Sequence, residues 1–199
     1  MPDVTWTHPA LPSILDAMPL EFESLIDLGC GRGIMGALCR IYRDPKHLVG
    51  VDAHEPSVEF CTSFGLYDKC LVRDLRNLPL PFRDDEFDVA TCIEVVEHLP
   101  REAGDRLVDE IERIAHVTII STPNVFSRQP EYDENPNQRH LSRWFPRDFR
   151  KRGYRVHGVG DMVFLGRKIR YLSRALGPVT KHAPALSSLL LCVRDRGGF

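Results

Sequence analysis

Six cysteines occur in 199 residues, yet no two of them form a Cys-x-x-Cys pair. That absence excludes zinc ribbons and thioredoxin-like redox motifs. Cys30, Cys39, Cys61, Cys70, Cys92 and Cys192 instead sit mostly within apolar segments, as small buried side chains do in a reducing compartment. A cytoplasmic location is the expectation. Long apolar runs are also missing: none approaches the roughly 20 residues that a membrane-spanning helix needs. The opening stretch MPDVTWTHPALPS has neither a basic region nor an apolar one, so no secretory signal is expected. Internal repeats and Pro/Gly/Ser linkers are absent too, and residues 1–199 read as one domain around one core.

Net charge is nearly absent, at −2. It hides an asymmetry. Residues 1–127 carry 11 Lys/Arg against 22 Asp/Glu, whereas residues 128–199 carry 15 against 6. A basic C-terminal part points to an anionic substrate, partner or membrane surface, against the alternative of a solvated face balancing the acidic half.

What is present is a rhythm of strands and helices. SLIDLG precedes a helical stretch over Met35–Tyr42, and HLVGVD precedes another near Pro56–Phe64, where proline suits a first helical turn. KCLVRD follows. FDVATC leads to a helix over Arg101–Ala115 and then to HVTIIST. Such units predict an α/β fold: a doubly wound, mostly parallel seven-stranded sheet with helices on both faces. The strands are near-continuous apolar runs, as strands buried on both faces are. After Thr122 the rhythm breaks. Insertions at about 123–145 and 161–184 flank a short helix, Pro146–Arg152, and a strand, YRVHGVG; LSSLLLCVRD forms the last strand. Loops this long in a compact domain are functional or disordered, and these two are expected to form the acceptor side of the site.

Gly29, Gly31 and Gly33 alternate after Asp27 in LIDLGCGRG. A glycine turn at the carboxyl end of a strand lets backbone N–H groups and a helix N-terminus face a ligand. Asp52 ends the second strand 21 residues past Gly31, where a carboxylate accepts hydrogen bonds from a ribose diol. Ile34 stands where a nicotinamide fingerprint would require a third glycine, which opposes a hydride-transfer enzyme.

Four motifs in register carry a resemblance: DLGCGRG, GVDAHEPSVEF, VRDLRNLPLPFRDDEFDVATCIEVVEHL and STPN. Together they resemble the class I S-adenosylmethionine-dependent methyltransferases, from about Leu25 to Asn124. The resemblance implies S-adenosylmethionine as cofactor. Gly29, Cys30, Gly31 and Gly33 would wrap its methionine portion, with Asp27 near the amino group. Asp52 would hold the ribose hydroxyls, Ala53 would border the adenine, and Asp74 would meet the adenine amino group. Leu75 would pack on the ring, and Ile93 would lie beside the sulfonium.

Glu94, Glu97 and His98 stand at i, i+3 and i+4, which converge on one face if the segment is helical. Two carboxylates and an imidazole suit a divalent ion such as Mg²⁺ or Mn²⁺. His140, followed by Trp144 and Phe149, resembles the later histidine of the small-RNA 2′-O-methyltransferases, whose metal ligands are a Glu-x-x-Glu-His and that histidine. The quinone-biosynthesis O-methyltransferases share the Glu-x-x-Glu-His. Arg139 stands where the RNA family has an acidic residue, and Phe145 where it has a helix-capping threonine. The same two histidines, His98 and His140, are the candidate catalytic bases without a metal.

The last candidate is Met162–Leu176. Leu165, Ile169, Leu172 and Leu176 make an apolar stripe on a helix, with Arg167, Arg170 and Arg174 on another face. Such a helix lies on a membrane surface, grips an anionic acceptor, or caps the site with its charges solvated. The leading expectation is O-methylation of a small-molecule or glycan- or lipid-linked acceptor. The alternatives are a metal-dependent RNA 2′-O-methyltransferase, with nucleic acid as partner, and a non-catalytic cofactor-binding protein.

Overall fold

Alternate residues of each central strand feed two different cores, and this divides the molecule into layers. In the computed structural model, which describes residues 10–124, 135–162 and 177–197, the strands are β1 (Ser24–Leu28), β2 (His47–Asp52), β3 (Lys69–Val72), β4 (Phe87–Ile93), β5 (Ala115–Pro123), β6 (Arg155–Met162) and β7 (Ser187–Asp195). They form one sheet in the order β3-β2-β1-β4-β5-β7-β6. β1 through β5 run parallel, and β7 is antiparallel to both β5 and β6.

Leu25, Val89, Ile119, Leu191 and Val193 point to one face. There they pack against α1 (Leu11–Ala17), α2 (Ile34–Tyr42) and α3 (Glu55–Ser63). Ile26, Leu28, Ala90, Cys92 and Ile120 point to the other, against α4 (Arg101–Ile114) and α5 (Pro146–Arg150). A last short helix, α6 (Gly177–His182), precedes β7. The period-2 alternation of a strand makes this two-sided burial unavoidable once both faces carry helices. β3 departs from the expected run: at the sheet edge, its four residues are only half-buried or exposed.

The order reverses at β1, whose neighbours are β2 on one side and β4 on the other. A crevice opens at such a reversal, at the carboxyl ends of the strands. Sequence patterning missed α1. Its seven residues bury only Ile14 fully, too short a stretch for a 3.6-residue period to register. The second insertion also needs correction. β6 continues to Met162 through a bulge after Val159, and residues 177–182 are helical, so Met162 begins no helix. The rest of the expected helix, residues 163–176, lies outside the described residues. No helix among the described residues is long and apolar enough to cross a membrane.

Candidate active site

The glycine turn leaves β1 with three left-handed residues at alternate positions, Gly29, Gly31 and Gly33 (φ 78°, 49° and 79°). The turn is tied to β2. Gly29 and Cys30 donate their N–H groups to the Val51 carbonyl (2.8 and 3.0 Å). Asp52 accepts from the Gly31 N–H through Oδ2 and from the His54 N–H through Oδ1, both at 2.8 Å. The aspartate expected at a ribose therefore also shapes the loop beside it.

Asp27 is 2% exposed. Thr91 donates to its Oδ1 (2.7 Å) and Tyr67 to its Oδ2 (2.6 Å). Tyr67 also accepts the Gly36 N–H in the first turn of α2 (3.1 Å), a donor with no partner inside the helix. A Cβ on Gly36 would stand 2.5 Å from the Tyr67 ring, so only glycine lets α2 sit this close. Nothing in the sequence pattern singles out Tyr67, because a lone aromatic in a turn carries no periodic signal.

Burial is the main cause that raises the Asp27 carboxyl to about 6; the Tyr67 and Thr91 hydroxyls oppose it. A carboxyl raised from 3.8 by that much stabilises the fold when protonated. The contribution is fully present below about pH 4 and lost as pH rises through 6, about 3 kcal/mol in all. Urea midpoints of wild type and Asp27→Asn at pH 4 and 7 measure it. The wild-type advantage of low pH should be reduced by about that amount in the variant.

The other expected cofactor residues occupy varied positions. Asp74 accepts both Nε and Nη2 of Arg76 (2.6–2.9 Å), which holds its carboxyl below the usual range. Leu75 is buried in the core on the α4 face. Ala53 and Ile93 are half-buried at the ends of β2 and β4.

The segment Glu94–His98 is not an α-helix. Glu94 takes a left-handed conformation (φ 56°) directly after β4, and Val96–His98 forms a single 3₁₀ turn. Three residues per turn and a left-handed start replace the expected i, i+3, i+4 face. The turn nonetheless gathers Glu97, His98 and His140, whose ligand atoms lie within 4.8 Å of one another. Glu94 falls outside that trio, although its carboxylate acts electrostatically on Glu97 and His98. Its N–H donates to the Ser121 carbonyl (3.0 Å) and its Oε1 accepts from Ser121 Oγ (2.7 Å).

Glu97 is 2% exposed, accepts from Thr122 Oγ1 through Oε2 (3.0 Å), and leaves Oε1 with no hydrogen-bond partner among the described residues. Burial first, then the neighbouring Glu94 carboxylate, raises its pKa well above the usual range. His98 is half-buried, with Nδ1 3.2 Å from the Arg139 carbonyl and its ring centroid 4.8 Å from that of His140. Burial lowers its pKa, which keeps the imidazole neutral near pH 7.

The motif STPN thus has a structural meaning that spacing could not supply. Ser121 holds Glu94, and Thr122 holds Glu97. Asn124 Nδ2 donates to the carbonyls of Pro184, Ala185 and Ser187 (2.8–3.1 Å), which pins the entry to β7 beside the site. The loop bearing His140 is seated in the same way. Leu141 and Ser142 donate N–H groups to the Glu97 carbonyl (2.7 and 3.0 Å), Ser142 Oγ donates to the Val96 carbonyl (3.2 Å), and Trp144 Nε1 donates to Ser142 Oγ (3.0 Å). In place of the RNA family's capping threonine, Asp148 accepts the Phe145 N–H (2.9 Å) and starts α5. The two halves of the site touch through Val95. A Cβ on Gly29 would lie 2.3 Å from Val95 Cγ2, so the histidine turn packs directly on the glycine turn.

The strand order, with a glycine turn and Asp52 at its reversal, is that of the class I S-adenosylmethionine-dependent methyltransferase fold. Residues 26–117 match the family described as a methyltransferase domain. The chain is 29% identical over 122 residues to the mitochondrial ubiquinone biosynthesis O-methyltransferase of Dictyostelium discoideum; the match covers 54% of this chain and 37% of that protein. The chain therefore spans little more than a third of that relative's length. Among solved structures, it is similar to a Haloferax volcanii methyltransferase in complex with the Trm112 methyltransferase activator (TM-score 0.66, 19% identity, 94% of this chain and 88% of that one). It is also similar to the small RNA methyltransferase HEN1 (TM-score 0.61, 16% identity, 94% of this chain and 25% of that one). At these identities both likenesses are of fold.

Proposed function

We propose that this domain transfers the sulfonium methyl group of S-adenosylmethionine to a hydroxyl oxygen of a small-molecule or glycan- or lipid-linked acceptor. The observation that carries the reading is the packing of the Glu97–His98–His140 trio against the glycine turn through Val95. This supports the reading, because it brings candidate bases next to the glycine turn that is the proposed seat of the cofactor. Methyl transfer is an in-line displacement, so holding donor and acceptor in line supplies much of the acceleration. The acceptor O–H proton passes to the imidazole of His98 or His140 as the C–O bond forms and the C–S bond breaks. S-Adenosylhomocysteine leaves.

The donor set also fits a divalent ion, because Glu97 has a buried oxygen without a partner among the described residues, and the carboxylate and the two imidazoles bring ligand atoms within 4.8 Å of one another. Glu97, His98 and His140 would hold it. Two nitrogens and one oxygen favour a borderline ion such as Mn²⁺ over Mg²⁺. When bound, such an ion polarises a hydroxyl and lowers its pKa.

Transfer of radiolabelled methyl from S-adenosylmethionine to catechols, hydroxylated sugars, lipid-linked glycans and RNA 3′ ends, with and without Mn²⁺, tests the reading. Label in a small acceptor is the expected result. Label in RNA alone would replace the small acceptor with RNA, and label in none, despite bound S-adenosylhomocysteine, would favour a non-catalytic cofactor-binding protein. Calorimetric titration of Mn²⁺ checks the ion. Saturable binding should be lost in His98→Ala.

A further inference from the structure

A second concave site lies on the α1 face of the sheet, and it shares no lining residue with the glycine turn or the histidine trio. Arg155, His157 and Val159 alternate along β6 and so point to one side. Directly opposite on β7 stand Val193, Leu191 and Leu189. α1 and α6 flank this two-stranded floor without covering it, leaving a cleft of about 460 Å³. That is room for a small organic molecule.

The lining is uneven in charge. Arg155 and His157 come from β6 and Lys181 from α6, while Asp16 of α1 is the one carboxylate among the described lining residues. Arg152, Arg194 and Arg196, close by in the chain, are each paired with a carboxylate. Arg155 and Lys181 form no ion pair with another described residue. Cations gathered in a concavity over apolar side chains repel one another until an anion enters. A guanidinium fork and a lysine ammonium are also the groups that phosphate oxygens engage best. The basic C-terminal part thus gains a local meaning that the methyl-transfer reading does not use.

We infer that this cleft binds a phosphomonoester, with the phosphate at Arg155, His157 and Lys181 and an apolar or aromatic body on Leu191 and Val193. The inference stands independently of methyl transfer. His157 has its pKa lowered first by burial, then by Lys181 and Arg155, with His182 also acting against its charged form; a hydrogen bond to the Lys181 backbone opposes this. Asp16 is the acidic group on the facing wall. A bound phosphate dianion reverses the local balance, so binding takes up a proton at His157 and tightens as pH falls toward about 6, where the phosphomonoester itself begins to protonate.

Calorimetric titration of phenyl phosphate, phenol and inorganic phosphate into protein holding S-adenosylhomocysteine tests the site. Phenyl phosphate should bind saturably, inorganic phosphate more weakly, and phenol not at all. The double variant Arg155→Gln/Lys181→Gln should lose at least tenfold in affinity, and Lys46→Gln, on the far side, should lose none. NMR titration of wild type supplies an independent reading, with the His157 pKa expected to rise when phenyl phosphate is present. An unsaturable wild-type isotherm, equal affinity in the double variant, or an unmoved His157 would overturn the inference.

Discussion

His98→Ala and His140→Ala are each expected to lower methyl transfer by about 10²–10⁴-fold while leaving S-adenosylhomocysteine affinity within a factor of about three. The separation follows from the geometry. The glycine turn is held by Val51 and Asp52, none of whose bonds involves His98 or His140. The His98 and His140 rings stand edge to face, their centroids 4.8 Å apart, beside the turn after β4. A loss confined to kcat assigns the histidines to the reacting oxygen. A loss of S-adenosylhomocysteine affinity of the same size would make them part of the cofactor pocket instead. Single-turnover rates and calorimetric affinities for the same preparations distinguish the two. With Mn²⁺ present, equal collapse in both variants would mark them as joint ligands, and unequal losses would point to one base.

Trp144→Ala should cost about 3–5 kcal/mol of stability and activity with it. Trp144 is fully buried, its ring lies 5.2 Å from Phe149, and the Arg101 guanidinium stacks over it at 4.0 Å. Its Nε1–H supports Ser142, which in turn bonds Val96. Removing the ring opens a cavity beneath Gly104, where a Cβ would already stand 2.6 Å from the indole. It also frees the loop that carries His140. Denaturant unfolding gives the stability loss. Trp144→Phe separates packing from the hydrogen bond: it should recover much of the stability and leave Ser142 without its donor, at about 1 kcal/mol.

Much of the cofactor half was legible in the residues. Alternate glycines after an apolar strand, and an aspartate 21 positions on, are local patterns whose consequences are local, and the structure joins them through one hydrogen bond from Gly31 to Asp52. The strands could be read for the same reason, since a run buried on both faces has no polar positions to hide it. Tyr67 could not be read. It matters because three glycines, Gly33, Gly36 and Gly50, come within reach of one ring, and they are scattered over 18 residues of chain. The turn at Glu94–His98 was misjudged because heptad-like spacing says nothing of a left-handed residue at its start.

By itself, the sequence determined the alternation of strands and helices, the bare backbone at the end of β1, and which residue types were on hand for chemistry. Each depends on neighbours a few positions apart, where chain stiffness and side-chain periodicity decide. The tertiary structure alone decided the rest: that Ser121 and Thr122 would hold the two glutamates, and that Trp144 would seat His140 beside His98. It also decided that Arg155 and Lys181 would line one cleft. Those contacts join residues 25 or more positions apart, and only burial of the sheet's two faces determines which of them meet.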